Sequence, residues 1–264
     1  MIKHLVRLPF LKKLIPSIGI RYFRFFGKNK NYFKVNDIYF YLDFLDPIDR
    51  EIILTHEYEG DQIIFLEEKM KQISFSYFLD IGSNCGYYSF YLASKFKDLK
   101  IKAYEPNIDA YNKFNKTLSK NSFKNIEIFN FGLSDSNQKT KIRSMIKDGF
   151  VQTNSSILYS NHQFDPEDFD VKEATFKAGD EVLTFNNEKL SIKIDVEGHE
   201  MYTLKGLTNN LINNKCLVLI EISERNYEEV HKLLNKFGYK NIFKSELRSD
   251  YIYTNINLWK YFLQ

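Results

Sequence analysis

From residue 76 onward, short apolar runs alternate with longer amphipathic segments. Residues 76–81, 100–104, 126–131, 191–196 and 216–222 are apolar runs of strand length. Residues 87–96, 108–121, 201–211 and 227–237 repeat their apolar positions at helical spacing. Strand and helix in turn predict parallel βαβ units, with helices covering both faces of one sheet. Residues 241–243 and 251–257 close the pattern as a pair of strands. Upstream, residues 60–72 carry Ile63, Ile64, Leu66 and Met70 at helical spacing, with Asp61 near the start. Residues 32–35 and 38–44 read as strands joined by an Asn36-Asp37 turn, and residues 1–30 as short amphipathic helices around Pro16 and Gly19. Residues 135–180 break the alternation. Their Ser, Asn, Asp and Lys clusters hold one strand-like piece, residues 174–176, and the segment reads as an insertion near the open end of the sheet, where loops carry function. The expected organisation is an extension over residues 1–59 and an α/β domain over residues 60–264.

Composition supports one globular unit. Of 264 residues, 44% are hydrophobic and 27% charged, with only 11 Gly and 5 Pro, which excludes disordered and low-complexity chains. Net charge is +3, yet the first 36 residues hold nine Lys or Arg and no acid, so the remainder is net acidic. A basic arm of this kind suits an anionic partner: a membrane surface carrying lipid-linked glycan, or an acceptor carrying phosphate. Cys85 and Cys216 are too few for a disulfide framework or a structural zinc site. No apolar run approaches the roughly 20 residues of a transmembrane helix, and Pro9, Lys12, Lys13 and Pro16 interrupt any signal-peptide core. The expected location is the cytoplasm, with the inner face of the membrane as one site within it.

The strongest local signal is Asp80-Ile-Gly82-Ser83-Asn84-Cys-Gly86, a buried strand running into a glycine turn that opens a helix. Open α/β sheets bind ligands there, outside the carboxyl ends of the strands. A dinucleotide site wants Gly-x-Gly-x-x-Gly. Here the middle glycine is missing, and Asp80 would repel a phosphate but attract an ammonium group. The next strand ends in Tyr104-Glu105-Pro106-Asn107; an acid there is placed to take both ribose hydroxyls. Gly132-Leu133-Ser134-Asp135 follows at the third strand tip, where Leu133 and Asp135 could border an adenine. The fourth strand leads into Asp195-Val-Glu197-Gly-His199-Glu200, and the fifth ends at Glu221. Strand ends bury few charges for packing reasons. Asp80, Glu105, Asp195 and Glu221 on one sheet edge therefore read as site chemistry.

These pieces, with Lys193-Ile-Asp-Val-Glu-Gly-His-Glu200 and Gly206, resemble the FkbM family of S-adenosylmethionine-dependent methyltransferases over roughly residues 55–222. The resemblance implies a Rossmann-like, seven-stranded, mostly parallel sheet and methyl transfer to oxygen, commonly a sugar hydroxyl in a polysaccharide or glycoconjugate. By that resemblance, Asp80, Gly82, Ser83, Asn84 and Gly86 contact the methionine half of the donor. Glu105 and Asn107 serve the ribose, Leu133, Ser134 and Asp135 the adenine, and Asp195 lies nearest the transferred methyl.

Three residues stand as candidates for the base: His199, Glu197 and Asp195. A histidine has a suitable ordinary pKa, although a helix N-terminus disfavours its charged form. Lys193 should pair with one of the acids. His56, Tyr58, Glu59, Ser155 and Glu221 are candidates for the acceptor side. A divalent metal between Asp195 and Glu221 is not expected, because no third ligand stands at an obvious spacing. Nucleic-acid methylation and nicotinamide-dependent oxidoreduction are the competing readings. The oligomeric state stays open, a homodimer included.

Overall fold

The computed structural model describes residues 11–147, 150–158 and 165–258. A single helix, α1 (Leu11–Phe26), runs through Pro16 and Gly19, where short helices were expected. Proline removes a helical hydrogen bond, but packing outweighs that loss. Ile15, Ile20 and Phe23 pack against Phe44 and Leu54, and a Cβ on Gly19 would lie 2.5 Å from the Phe44 ring. The hairpin β1 (Lys30–Val35) and β2 (Ile38–Asp43) turns at Asn36 and Asp37, both at positive φ, as a tight two-residue connection requires.

Helix α2 (Pro47–Thr55) was not anticipated. Asp46 caps it by accepting from the Ile48 and Asp49 N–H groups, and Pro47 occupies its first position. Helix α3 (Gly60–Gln72) follows. Then come β3 (Tyr77–Ile81), α4 (Tyr87–Lys95), β4 (Lys100–Tyr104), α5 (Ile108–Lys120) and β5 (Ile126–Phe129). The segment 135–180, expected as an insertion with one strand-like piece at residues 174–176, holds β7 (Gln138–Lys147), β8 (Phe150–Ile157) and β9 (Phe169–Ala178), which form a second sheet with β6 (Gly132–Ser134) in the order β6-β9-β7-β8. Only Ile142, Ile157, Ala174 and Phe176 form its buried cluster. Its other face carries Met145, Phe169 and Val171 among its charged residues, so the strands lack a clean two-residue alternation.

After α6 (Gly179–Val182) come β10 (Lys189–Ile194), α7 (Glu200–Gly206), α8 (Thr208–Asn213), β11 (Lys215–Glu221), α9 (Tyr227–Lys236), β12 (Lys240–Lys244) and β13 (Asp250–Thr254). The helix expected over 201–211 divides at Leu207, and the strand expected over 191–196 stops at Ile194. The main sheet has the order β12-β13-β11-β10-β3-β4-β5. Strands β11, β10, β3, β4 and β5 are parallel, while β13 runs antiparallel between β11 and β12. This is the Rossmann-like methyltransferase architecture.

Alternate residues of each strand feed separate cores: Phe78, Leu217 and Leu219 on one face, Leu79, Val218 and Ile220 on the other. The N-terminal hairpin belongs to the first core, where Phe40 meets Tyr87 and Phe90. A buried polar network completes the join. Lys113 of α5 lies 2.5 Å from Asp49 of α2, and Asp46 accepts from the Thr153 hydroxyl of β8 at 2.7 Å. Residues 30–59 are thereby locked to both sheets.

Candidate active site

A cavity of about 280 Å³ opens at the carboxyl ends of β3, β4, β10 and β11. Its floor is the turn after β3. Gly82 has φ +80, and a Cβ there would lie 1.8 Å from the Asp195 carbonyl oxygen. Only glycine allows the β3 turn and the end of β10 to touch. Gly86 caps α4 in the same left-handed region, and Asn84 is also left-handed. The Ser83 hydroxyl and the Asn84 side-chain oxygen are buried without a hydrogen-bond partner. Unpaired buried polar atoms at a helix entrance fit a ligand that supplies their missing bonds.

Glu105 faces this turn from the end of β4. One carboxylate oxygen accepts from the Asn84 N–H and the other from the Asn107 N–H, each at 2.8 Å. Burial pushes its carboxyl up to about 7 despite those donors. Asp80 is fully buried beneath the turn and accepts from the Ser89 hydroxyl at 2.6 Å; burial raises its pKa as well.

Beyond Ile194, Asp195 stands at the strand tip and lines the cavity. Burial opposes its charge, but Lys193 at 2.7 Å and a hydrogen bond from Glu221 outweigh it, and the carboxyl stays below its ordinary range. The expected pairing of Lys193 is therefore with Asp195. Glu221, from the neighbouring strand β11, shows the reverse. The Asp195 charge, then burial, drive its carboxyl far above the carboxylate range. The two neighbouring carboxyls are thus pushed in opposite directions. Glu197, at positive φ, lines the cavity and accepts from the Asn154 amide; desolvation of its carboxyl by the surrounding wall and the Asp195 charge raise its pKa.

His199 lines the cavity. Its ring stacks on Tyr202, and Nε2 lies 3.0 Å from the Ser134 hydroxyl. Ser134 donates to Asp135, so Nε2–H is the donor to Ser134. Burial lowers the imidazole to about 4, so the ring is uncharged at neutral pH.

The remaining expected residues divide. Asp80, Gly82, Ser83, Asn84, Glu105, Leu133 and Asp195 line the cavity, as do Tyr58, Ser155 and Glu221. Gly86, Asn107, Ser134, Asp135, His56 and Glu59 are not among its lining residues. Asn107 instead caps α5 and reaches the Thr153 carbonyl with its amide. Ser134 belongs to β6 in the second sheet, and Asp135 is exposed beyond it. His56 ends α2, with its carbonyl accepting from Asn36. Glu59 lies behind the wall, 3.3 Å from Arg248.

Arg248 itself was missed. It lines the cavity between β12 and β13, sits 5.0 Å over the Tyr58 ring and faces Glu51 and Glu59. A lone arginine in a polar turn carries no sequence signal of such a role. Pro47, Ile48 and Glu51 were missed with α2, whose start is visible in retrospect as Asp46-Pro47. Among the described residues, no group of three or more His, Cys, Asp or Glu could hold a metal ion.

The Methyltransferase FkbM domain matches residues 80–241, more than half of the chain and the whole donor side of this cavity. The chain belongs to the FkbM methyltransferase family. Its methyl donor is S-adenosylmethionine. No curated protein sequence matches the chain. Among solved structures, a precorrin-6y C5,15-methyltransferase from Geobacter metallireducens is 13% identical, with 75% of this chain and 88% of that one covered and a TM-score of 0.43. M. jannaschii TYW2 in complex with AdoMet is 15% identical, with 86% and 84% covered and a TM-score of 0.43. An rRNA methylase from Streptococcus thermophilus is 11% identical, with 72% and 93% covered and a TM-score of 0.42.

Substitution of the turn glycine tests the donor site. Gly82→Ala should weaken S-adenosylhomocysteine binding at least about tenfold in calorimetry, because a strained backbone of this kind costs about 1–3 kcal/mol before any displacement of Asp195.

Proposed function

We propose that this enzyme methylates a hydroxyl oxygen of a saccharide, as part of polysaccharide or glycoconjugate synthesis. The observation that carries the reading is the meeting of Asp195 and Glu221 in the cavity lining at the strand tips, with Lys193 2.7 Å from Asp195 holding its carboxyl low and the Asp195 charge driving Glu221 up. S-adenosylmethionine supplies an electrophilic methyl group, already activated by its sulfonium. What remains for the protein is to orient an alcohol and take its proton. Asp195 is the acceptor of that proton, and Glu221 fixes its carboxylate through a hydrogen bond. Lys193 keeps Asp195 anionic until then. Tyr58, Glu51, Asn154, Ser155 and Arg248 surround the acceptor space with donors and acceptors suited to a polyhydroxyl compound.

Charge narrows the acceptor. Six carboxyl side chains (Glu51, Asp80, Glu105, Asp195, Glu197, Glu221) line the cavity, against two cations, Lys193 and Arg248, both engaged by acids. The moiety that enters is accordingly uncharged; any phosphate on the acceptor stays outside. Such a lining also disfavours nucleic acid, whose backbone is bound through cations. Methyl transfer to a neutral oligosaccharide panel, with weaker turnover of nucleotide-linked sugars and none of RNA, is the expected pattern. Preferential methylation of RNA would overturn the reading.

The pH dependence follows from the pair. Activity should fall at low pH only below the ordinary carboxylate range, as Asp195 takes a proton. It should fall again at alkaline pH, as Glu221 loses the proton that holds Asp195 in place. Glu221→Gln should abolish the alkaline limb of the kcat profile and keep the acid limb; an unchanged alkaline limb would place it elsewhere.

A further inference from the structure

Helix α1 has two apolar stripes, and among the described residues only one packs into a hydrophobic cluster. Ile15, Ile20 and Phe23 pack on Phe44 and Leu54. The other stripe, Leu14, Ile18, Tyr22 and Phe25 on successive turns with Phe26 beside it, faces solvent. Ile18 is 56%, Tyr22 57% and Phe25 83% exposed. A solvated helix face is ordinarily polar. Here large side chains stand out on three turns, which marks a contact surface.

The charge around this stripe selects the occupant. Helix α1 contains no acid, and Lys13, Arg21 and Arg24 run along one margin of the stripe, with Lys28 just beyond the helix. The preceding residues add Lys3 and Arg7 in sequence, and the first acid of the chain is Asp37. Exposed aromatics bordered by cations match the boundary of an anionic bilayer, where apolar side chains enter the acyl region and cations meet headgroups. A protein partner would have to bring acids; a second copy of this helix would bring the same cations and repel it. No helix among the described residues is long and apolar enough to cross a membrane, so contact in the plane of the surface is what α1 can make.

We infer that α1 docks the enzyme on an anionic lipid surface through Ile18, Tyr22, Phe25 and Phe26. The placement also bears on catalysis. Ile53 and Leu54 of α2 pack in the cluster that seats α1, and Pro47, Ile48 and Glu51 of the same helix line the cavity. One helix therefore separates the bilayer contact from the acceptor space, which suits delivery of an acceptor carried on lipid.

Vesicle sedimentation of the full chain tests this, with phosphatidylglycerol-containing vesicles against pure phosphatidylcholine. Neither donor nor acceptor is present, so the outcome is independent of the saccharide reading. The wild type should pellet with the anionic vesicles and be released by salt. Ile18→Ser with Phe25→Ser should weaken that partition about tenfold or more. Both positions are solvent-exposed, so the thermal midpoint and S-adenosylhomocysteine affinity should not change. Failure to pellet with either vesicle overturns the inference. So does a wild-type dimer that the double variant converts to monomers without any vesicle binding, since a second copy then covers the face.

Discussion

Asp195→Asn should lower kcat by about 10²–10⁴ while S-adenosylhomocysteine affinity changes only a few-fold. The substitution keeps the shape of the side chain and removes its charge. The residue sits where the β3 turn and the end of β10 touch, with Gly82 packed directly on its carbonyl. It is also the ionised member of the Asp195–Glu221 pair. The variant should still fold. Lys193 loses its 2.7 Å partner, but the Glu59 and Asp80 carboxylates also favour its charged form, so the ammonium is not left uncompensated. Single-turnover kinetics with a thermal melt on the same sample separates the two effects. Equal loss of donor affinity and rate would instead make Asp195 a binding residue.

The largest stability effect is expected far from the chemistry. Lys113→Met should destabilise the fold by about 3–5 kcal/mol in urea unfolding. Asp49 is completely buried, and Lys113 is its only cationic partner at hydrogen-bond distance among the described residues. Burial works against the Lys113 ammonium, yet the Asp49 and Asp46 carboxylates outweigh it and hold it charged. Burial lifts the Asp49 carboxyl to about 6, so the pair is still ionised at neutral pH. Removing one member leaves a buried charge with a single backbone donor, the Asp43 N–H. The sign with pH can be worked out. Lys113 is what holds the Asp49 carboxyl down to about 6, so in Lys113→Met Asp49 takes its proton at higher pH than in the wild type, and the penalty should shrink as pH falls through that range. A penalty independent of pH would mean that packing loss, not charge, is responsible. The joint matters for function, since this network ties α2 and β8 to α5, and both α2 and β8 line the cavity.

Much of this was legible in the sequence, for identifiable reasons. The parallel strands are buried on both faces, so they appear as uninterrupted apolar runs, and their tips carry acids that packing alone would not place there. Gly82 and Glu105 stood out because a strand, a turn and a helix in fixed order leave little freedom. The second sheet was not legible because it buries one face around only four residues. Helix α1 looked broken because Pro16 and Gly19 are poor helix residues, whereas the Phe44 contact that keeps it whole lies 25 positions from Gly19 in sequence. His199 stood out because its ordinary pKa suits a base. Its burial under Tyr202 and Phe176, and its bond to Ser134, depend on strands β6 and β9, and of β9 the sequence pattern showed only residues 174–176. Arg248 reaches the cavity from the far end of the chain, and only the antiparallel return of β13 beside β11 explains its position.

The most direct test is to supply S-adenosylmethionine with a carbon-13 methyl group, offer neutral oligosaccharides, and record where the label arrives by NMR. Transfer to oxygen should give a labelled methyl ether on a saccharide with wild-type enzyme and none with Asp195→Asn. Label on nitrogen, on carbon or on RNA with the wild type would contradict a carboxylate-assisted methylation of a sugar hydroxyl.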